Sequence, residues 1–241
     1  MTVGLVCLPG LLCTPDVWGP VARHVDVPMV APDLPDLDSI ERIAATLLPG
    51  FPDRFVLVGF SMGGYVALEI LSAAPQRVAG LVLAATSAAA DTDQQKIGRQ
   101  SAVEQARSAG MTRFAKGLAR YLLGPSASED PSMVARIVAM AEEVGLDTFA
   151  RHQAATAARS DNRDVLARLS CPVAVVAGAA DKVISPDKAR EMADLVRGAP
   201  LTIAPEAGHM LPLEAPALLA DAITSILSTV TCRSGVEVHA E

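Results

Sequence analysis

Ser61 stands in Gly59-Phe60-Ser61-Met62-Gly63, a Gly-x-Ser-x-Gly pentapeptide. The apolar run Phe55-Val56-Leu57-Val58 precedes it and reads as a buried parallel strand. Residues 64–71 follow and read as a helix. Strand, sharp turn, helix is the setting in which a serine is held in a strained conformation above a sheet, with its hydroxyl exposed for nucleophilic attack. Side chains at positions 59 and 63 would collide across so tight a turn, which accounts for both glycines. The Met62 amide, first in the helix, is free to donate to an oxyanion. The plain alternative is a glycine-rich turn with a solvated serine. The flanking strand and helix argue against it.

A serine hydroxyl is a weak nucleophile and needs a base, which in turn needs an orienting acid. Of four histidines, His209 follows the last expected strand, in Glu206-Ala207-Gly208-His209-Met210. Parallel strands all end on one side, so His209 lies at the sheet edge that carries Ser61. His24 reads as a surface helix residue, His152 falls in a helical insertion from which it could face the pocket, and His239 is near the end of the chain. His209 is therefore the expected base, with Nε2 toward Ser61. Asp181, in Gly178-Ala179-Ala180-Asp181, also follows a strand and can accept from Nδ1–H of His209. Asp33 and Asp187 compete for this role, although Asp187 suits the first turn of a helix. A second oxyanion donor is expected from the loop after the first strand. There Gly10 lets the Leu11 amide turn toward the reacting carbonyl, and the Leu12 amide is the less suited choice.

These residues need a scaffold that brings strand ends together. Strands are expected over 3–8, 27–31, 55–58, 78–84, 171–177 and 201–204. Thr14 and Pro15 open a short helix to about position 24, and Asp38 or Ser39 caps another to about 48. The elbow helix stops before Pro75. Further helices are expected over 186–197 and 213–227. Alternating strand and helix imply a parallel sheet with helices on both faces. The alternation breaks over 91–164, where helical patterns run over 96–109, 112–123, 131–144 and 148–158. This insertion reads as a cap over the strand ends, or as a helical layer merely packed on the sheet. The core is thus expected over 1–90 and 165–229, the cap over 91–164, and a loose tail over 230–241.

The 241 residues suffice for one large α/β domain. A hydrophobic content of 51% argues for a sizeable core and against disorder, and the 3% aromatic content puts that core on Ala, Val, Leu and Ile. A net charge of -7 leaves no basic footprint for nucleic acid. The N-terminal apolar run lacks a basic start and breaks at Pro9-Gly10, so it does not read as a signal peptide. No stretch is apolar enough to span a bilayer. Cys7, Cys13, Cys171 and Cys232 show no metal or C-x-x-C spacing. Cys7 and Cys171 read as buried thiols, and a cytoplasmic location is expected. Within the cap, Lys96, Arg99, Arg107, Arg113, Lys116 and Arg120 face a single acid, Glu104. They form either a recruiting surface for an anionic group or, more simply, a solvated helix face.

The elbow pentapeptide, Gly178-x-x-Asp181, Gly208-His209 and the Cys171-Pro172 strand start together resemble the α/β-hydrolase superfamily, in its small lidded form. The resemblance covers roughly 3–227 and lacks two leading strands found in many members. Where that family often has His-Gly in the oxyanion loop, this chain has Pro9-Gly10. The chain order Ser61, Asp181, His209 is also that of the family. The resemblance implies cleavage of a small-molecule ester through an acyl-enzyme, with no metal or organic cofactor. It equally allows thioester, lactone or carbon–carbon bond hydrolysis, or a receptor-like binding role. Leu11, Leu12, Trp18 and Met62 are the expected apolar lining near the nucleophile.

Overall fold

A computed structural model describes residues 3–196 and 198–234. Six strands form one parallel sheet: β1 (Gly4–Leu8), β2 (Met29–Val30), β3 (Phe55–Phe60), β4 (Val78–Ala84), β5 (Val173–Gly178) and β6 (Leu201–Ala204). Their order is β2-β1-β3-β4-β5-β6. The helices are α1 (Gly19–Ala22), α2 (Ile40–Leu47), α3 (Met62–Ala73), α4 (Asp93–Ala109), α5 (Met111–Leu122), α6 (Pro125–Ser128), α7 (Pro131–Ala157), α8 (Arg163–Ala167), α9 (Pro186–Leu195), α10 (Leu211–Glu214) and α11 (Pro216–Ser234).

The strands read as unbroken apolar runs because both sheet faces are covered. Side chains alternate across the sheet. Val56, Val58 and Phe60 of β3 pack with Leu219, Ile223 and Ile226 of α11. Phe55 and Leu57, which alternate with them in sequence, pack with Val66 and Ile70 of α3. β2 is shorter than its apolar run suggested. It pairs only Met29 and Val30 with β1, at the sheet edge, just after Pro28, which has no N–H to donate.

Helices α4 to α8 lie between β4 and β5. Ala106, Ala115, Val138, Ala141 and Phe149 of this insertion form a third apolar cluster with Leu12 of the loop after β1. The two helices expected over 131–144 and 148–158 form one run, α7, broken at Gly145 (φ 77°, ψ 167°). Only glycine reaches that conformation without strain. The short helix α8 was not visible as a pattern.

The loose tail expected from position 230 is corrected over its first residues. α11 continues through Ser234, and the remaining residues, 235–241, lie outside the described part. Val230 is buried in the core. It sits over Gly80 of β4, where a Cβ would lie 2.5 Å from Ile226 Cγ2 and 3.2 Å from Val230 Cγ2. A strand glycine thus makes room for the helix end. Truncating Val230 to Ala is expected to destabilise the protein by about 1.5–3 kcal/mol, the worth of burying a valine side chain. Urea denaturation checks this, and an unchanged midpoint would show that the helix end does not pack.

Candidate active site

The site begins with a backbone that resists its own conformation. Ser61 has φ 51° and ψ −114°, a region that costs a non-glycine residue about 1–3 kcal/mol. The turn is held from β4. The Ser61 N–H donates to the Ala84 carbonyl (2.9 Å), and the Ser61 carbonyl accepts from Thr86 Oγ1 (2.8 Å) and the Gly64 N–H (2.9 Å). The elbow is tight at Gly59, as the pentapeptide suggested, since a Cβ there would lie 2.7 Å from the Gly63 carbonyl oxygen, but Gly63 itself answers to a different neighbour. A Cβ on Gly59 would lie 2.5 Å from Gly64 Cα, while one on Gly63 would lie 2.3 Å from the Leu8 carbonyl oxygen. Gly63 therefore lets the elbow approach the loop after β1. Gly10 does the same from the other side, since a Cβ there would lie 3.3 Å from Ser61 Cβ.

His209 Nε2 lies 2.9 Å from Ser61 Oγ, and its Nδ1 lies 2.8 Å from Asp181 Oδ2. With Nδ1–H donating to the carboxylate, Nε2 carries a lone pair that can accept a hydrogen bond from the Ser61 hydroxyl. The other Asp181 oxygen accepts the N–H groups of Val183 (2.8 Å) and Ile184 (2.9 Å), so the carboxylate is fixed on both sides. All three residues are buried. Asp33 and Asp187 are exposed, and Asp187 pairs with Arg190. His24 is exposed, and His239 lies outside the described residues. His152 is buried against the Pro35 carbonyl (2.9 Å), and its pKa is lowered by that burial.

The strand ends meet through glycines. A Cβ on Gly178 would lie 2.1 Å from the Gly208 carbonyl oxygen, and one on Gly208 would lie 2.4 Å from the Leu122 carbonyl oxygen. The His209 N–H donates to that Leu122 carbonyl at 2.6 Å. Glu214 was missed by sequence reasoning, because a glutamate closing a short helix carries no motif. Its carboxylate accepts three backbone N–H groups: Gly124 (2.7 Å), Gly208 (3.1 Å) and Met210 (3.0 Å). It thus ties both neighbours of His209 to the insertion.

A cavity of about 410 Å³ opens over Ser61 and His209. Leu11, Leu12 and Met62 line it, with Phe114 and Phe149 from the insertion. Trp18 does not. It is buried beneath the site, edge-on to Phe60 with centroids 6.5 Å apart. An aromatic near a catalytic loop in sequence can as easily support the floor as form the wall. The N–H groups of Leu11 and Met62 donate to no acceptor among the described residues. Among those residues, no group of three or more His, Cys, Asp or Glu is placed to hold a metal. Cys7 is fully buried, and Cys171 only partly.

Of the six basic residues expected on the insertion, Arg99 alone lines the cavity, and the other five are exposed. Asp91, with no exposed side-chain surface, accepts from Arg99 Nε and Nη2 and from Arg159 Nη1. Burial works against the Asp91 carboxylate. The hydrogen bonds and charges of Arg99 and Arg159 outweigh it, and its pKa is held below the usual value. Arg159 also donates to the Ala89 and Thr156 carbonyls and stacks on Tyr65 at 4.1 Å.

Residues 5–222 match the model of the alpha/beta hydrolase family. The chain belongs to that family. It is 32% identical over 196 residues to the dihydrolipoyllysine-residue acetyltransferase component of an acetoin cleaving system from Pseudomonas putida, covering 75% of this chain and 47% of that protein. It is 35% identical over 92 residues to a pimeloyl-[acyl-carrier protein] methyl ester esterase from Aromatoleum aromaticum, covering 34% of this chain and 37% of that one. These matches span less than half the length of either relative. A malate-bound thermophilic esterase from Thermogutta terrifontis superposes with a TM-score of 0.80 at 26% identity, covering 95% of this chain and 92% of that one. Family and neighbours support a hydrolase. No described helix is long and apolar enough to cross a membrane.

Two outcomes test the supports of this hydrolase site. Glu214→Ala leaves three backbone N–H groups without their acceptor, at a cost of about 1–3 kcal/mol for each one that stays buried and unsatisfied. Denaturation should show that loss. Ester-turnover kinetics should show kcat falling more than KM rises, as the His209 loop loosens. Asp91→Asn removes the only carboxylate between two guanidiniums and should cost about 3–5 kcal/mol at neutral pH. Because the folded pKa of Asp91 is lowered, its stabilisation is present above the ordinary carboxylate pKa and is lost as pH falls through the folded value. Acid denaturation of the variant should therefore be flatter than that of the parent. Parallel curves would exclude this carboxylate as a source of acid sensitivity.

Proposed function

We propose that this chain is a serine hydrolase that cleaves a carboxylic ester of a small, largely apolar acyl group. The observation that carries the reading is the hydrogen-bonded sequence Ser61, His209, Asp181 on the floor of an apolar cavity. Ser61 Oγ attacks the ester carbonyl carbon while His209 Nε2 takes its proton. The Leu11 and Met62 amides receive the developing oxyanion, which accounts for two N–H groups left unused at the site. Asp181 holds the imidazole in the required tautomer and stabilises the imidazolium. His209 then returns the proton to the leaving alcohol, and the acyl-enzyme forms. Water, deprotonated by the same histidine, releases the acid and restores Ser61. The insertion between β4 and β5 serves as a cap that keeps bulk water from the intermediate. The esterases among the relatives and neighbours support an ester over other acyl substrates.

Mass spectrometry after incubation with a fluorophosphonate, followed by assays on p-nitrophenyl acetate and butyrate, tests the reading. A single adduct is expected on Ser61, absent in Ser61→Ala, together with ester turnover. Asp181→Asn should lower kcat by about 10⁴-fold while leaving the fold intact. An adduct without ester turnover would move the substrate to thioesters, lactones or carbon–carbon bonds. No adduct would leave a binding role.

A further inference from the structure

Among the described residues lining the cavity there is no Asp or Glu, while Arg99 and Lys182 are cationic. Behind the wall a single carboxylate, Asp91, serves two guanidiniums, so the buried cluster carries one uncompensated positive charge. Arg159 is absorbed by the protein, with Nε, Nη1 and Nη2 all donating to backbone carbonyls or Asp91. Arg99 is not. Its Nε and Nη2 face Asp91 and its Nη1 donates to Gln153 (3.0 Å). A guanidinium has five N–H donors and three are engaged here, so one remains on each Nη. A guanidinium that lines a cavity with donors to spare suits a carboxylate. Gln95, Gln153 and Thr156 add neutral polar groups to the same stretch of wall.

We infer that Arg99 is an anion subsite, and that the natural ester carries a carboxylate at the far end of its acyl chain. This rests on the ester-hydrolase reading above. The acyl side follows from the two sheet faces. The His209 loop, through Ala207 and Met210, packs with the α11 face, whereas the arginine cluster rests on Tyr65 of the α3 face. A leaving alcohol must meet His209 to be protonated, so the acyl chain runs the other way, past Met62 and Phe149 toward Arg99. The middle of the cavity is apolar and suits methylenes. The reaction is the hydrolysis of a dicarboxylic half-ester by water, giving the dicarboxylate and the alcohol, with no further reactant.

The test compares kcat/KM for monomethyl esters of straight dicarboxylic acids, from succinate to suberate, with methyl alkanoates of equal length. p-Nitrophenyl acetate is measured beside them. The parent protein should prefer the half-ester at one or two chain lengths by about 10-fold or more. Arg99→Gln keeps the Asp91–Arg159 pair and should collapse that preference ratio, mainly through KM. Arg99→Lys should keep part of it. A purely structural role for Arg99 would lower both substrates together and leave the ratio unchanged, which overturns the inference. So would a parent that prefers the neutral esters, or one that prefers the charge only on the alcohol, tested with the acetyl ester of 4-hydroxybutyrate. Turnover of p-nitrophenyl acetate in any of these cases keeps the ester-hydrolase reading. Its absence in the parent, with no ester cleaved, would overturn that reading itself.

Discussion

Everything at the site depends on a serine held in a backbone conformation it would not choose. A strained residue persists only where its surroundings over-determine it. Here the end of β4 does so, through the Ala84 carbonyl and the Thr86 hydroxyl on either side of Ser61. Ala85, between those two, is itself at φ 46°, so the strain is shared across neighbouring strand ends. The elbow therefore needs β4 beside β3 in parallel register, and it needs Gly59, Gly63 and Gly64 so that backbone and side chains can close on it. A glycine-rich turn without that neighbour would relax.

The second dependence is on the loop carrying His209. Two glycines, Gly178 and Gly208, let it cross close over the end of β5, and Glu214 gathers the free N–H groups around it. The third N–H held by Glu214, that of Gly124, belongs to the insertion. The helices above the sheet are therefore coupled to the position of the histidine. They supply walls for the cavity and also part of the frame for His209. Asp91 does similar work at the other wall. It holds two arginines that would otherwise repel, one turned into backbone and one left facing the cavity.

Much of this was legible in the chain itself. The strand–turn–helix around Ser61, the strand ends before Asp181 and His209, and the helical break between β4 and β5 follow from hydrophobic period and glycine placement, which are local properties. β4 and β6 fall on their expected residues, and β3 and β5 depart from theirs only at the ends. The errors were of other kinds. Trp18, expected among the cavity lining, is buried beneath the site instead, because the face on which a short helical turn packs is not a local property. The chain end was read as loose because residues after 229 lack period, whereas burial of Val230 against Gly80 depends on a strand some 150 residues away.

Types and order of residues thus determined the parallel α/β architecture, the edge of the sheet where Ser61, Asp181 and His209 gather, and the candidates for serine, acid and histidine. They did so because secondary structure and strand direction are written in periodicities a few residues long. Tertiary structure alone decided which of six basic residues faces the cavity, which glutamate anchors the histidine loop, and that the elbow glycines answer to different neighbours. Those outcomes turn on contacts of a few ångströms between segments far apart in sequence, and no local pattern encodes them.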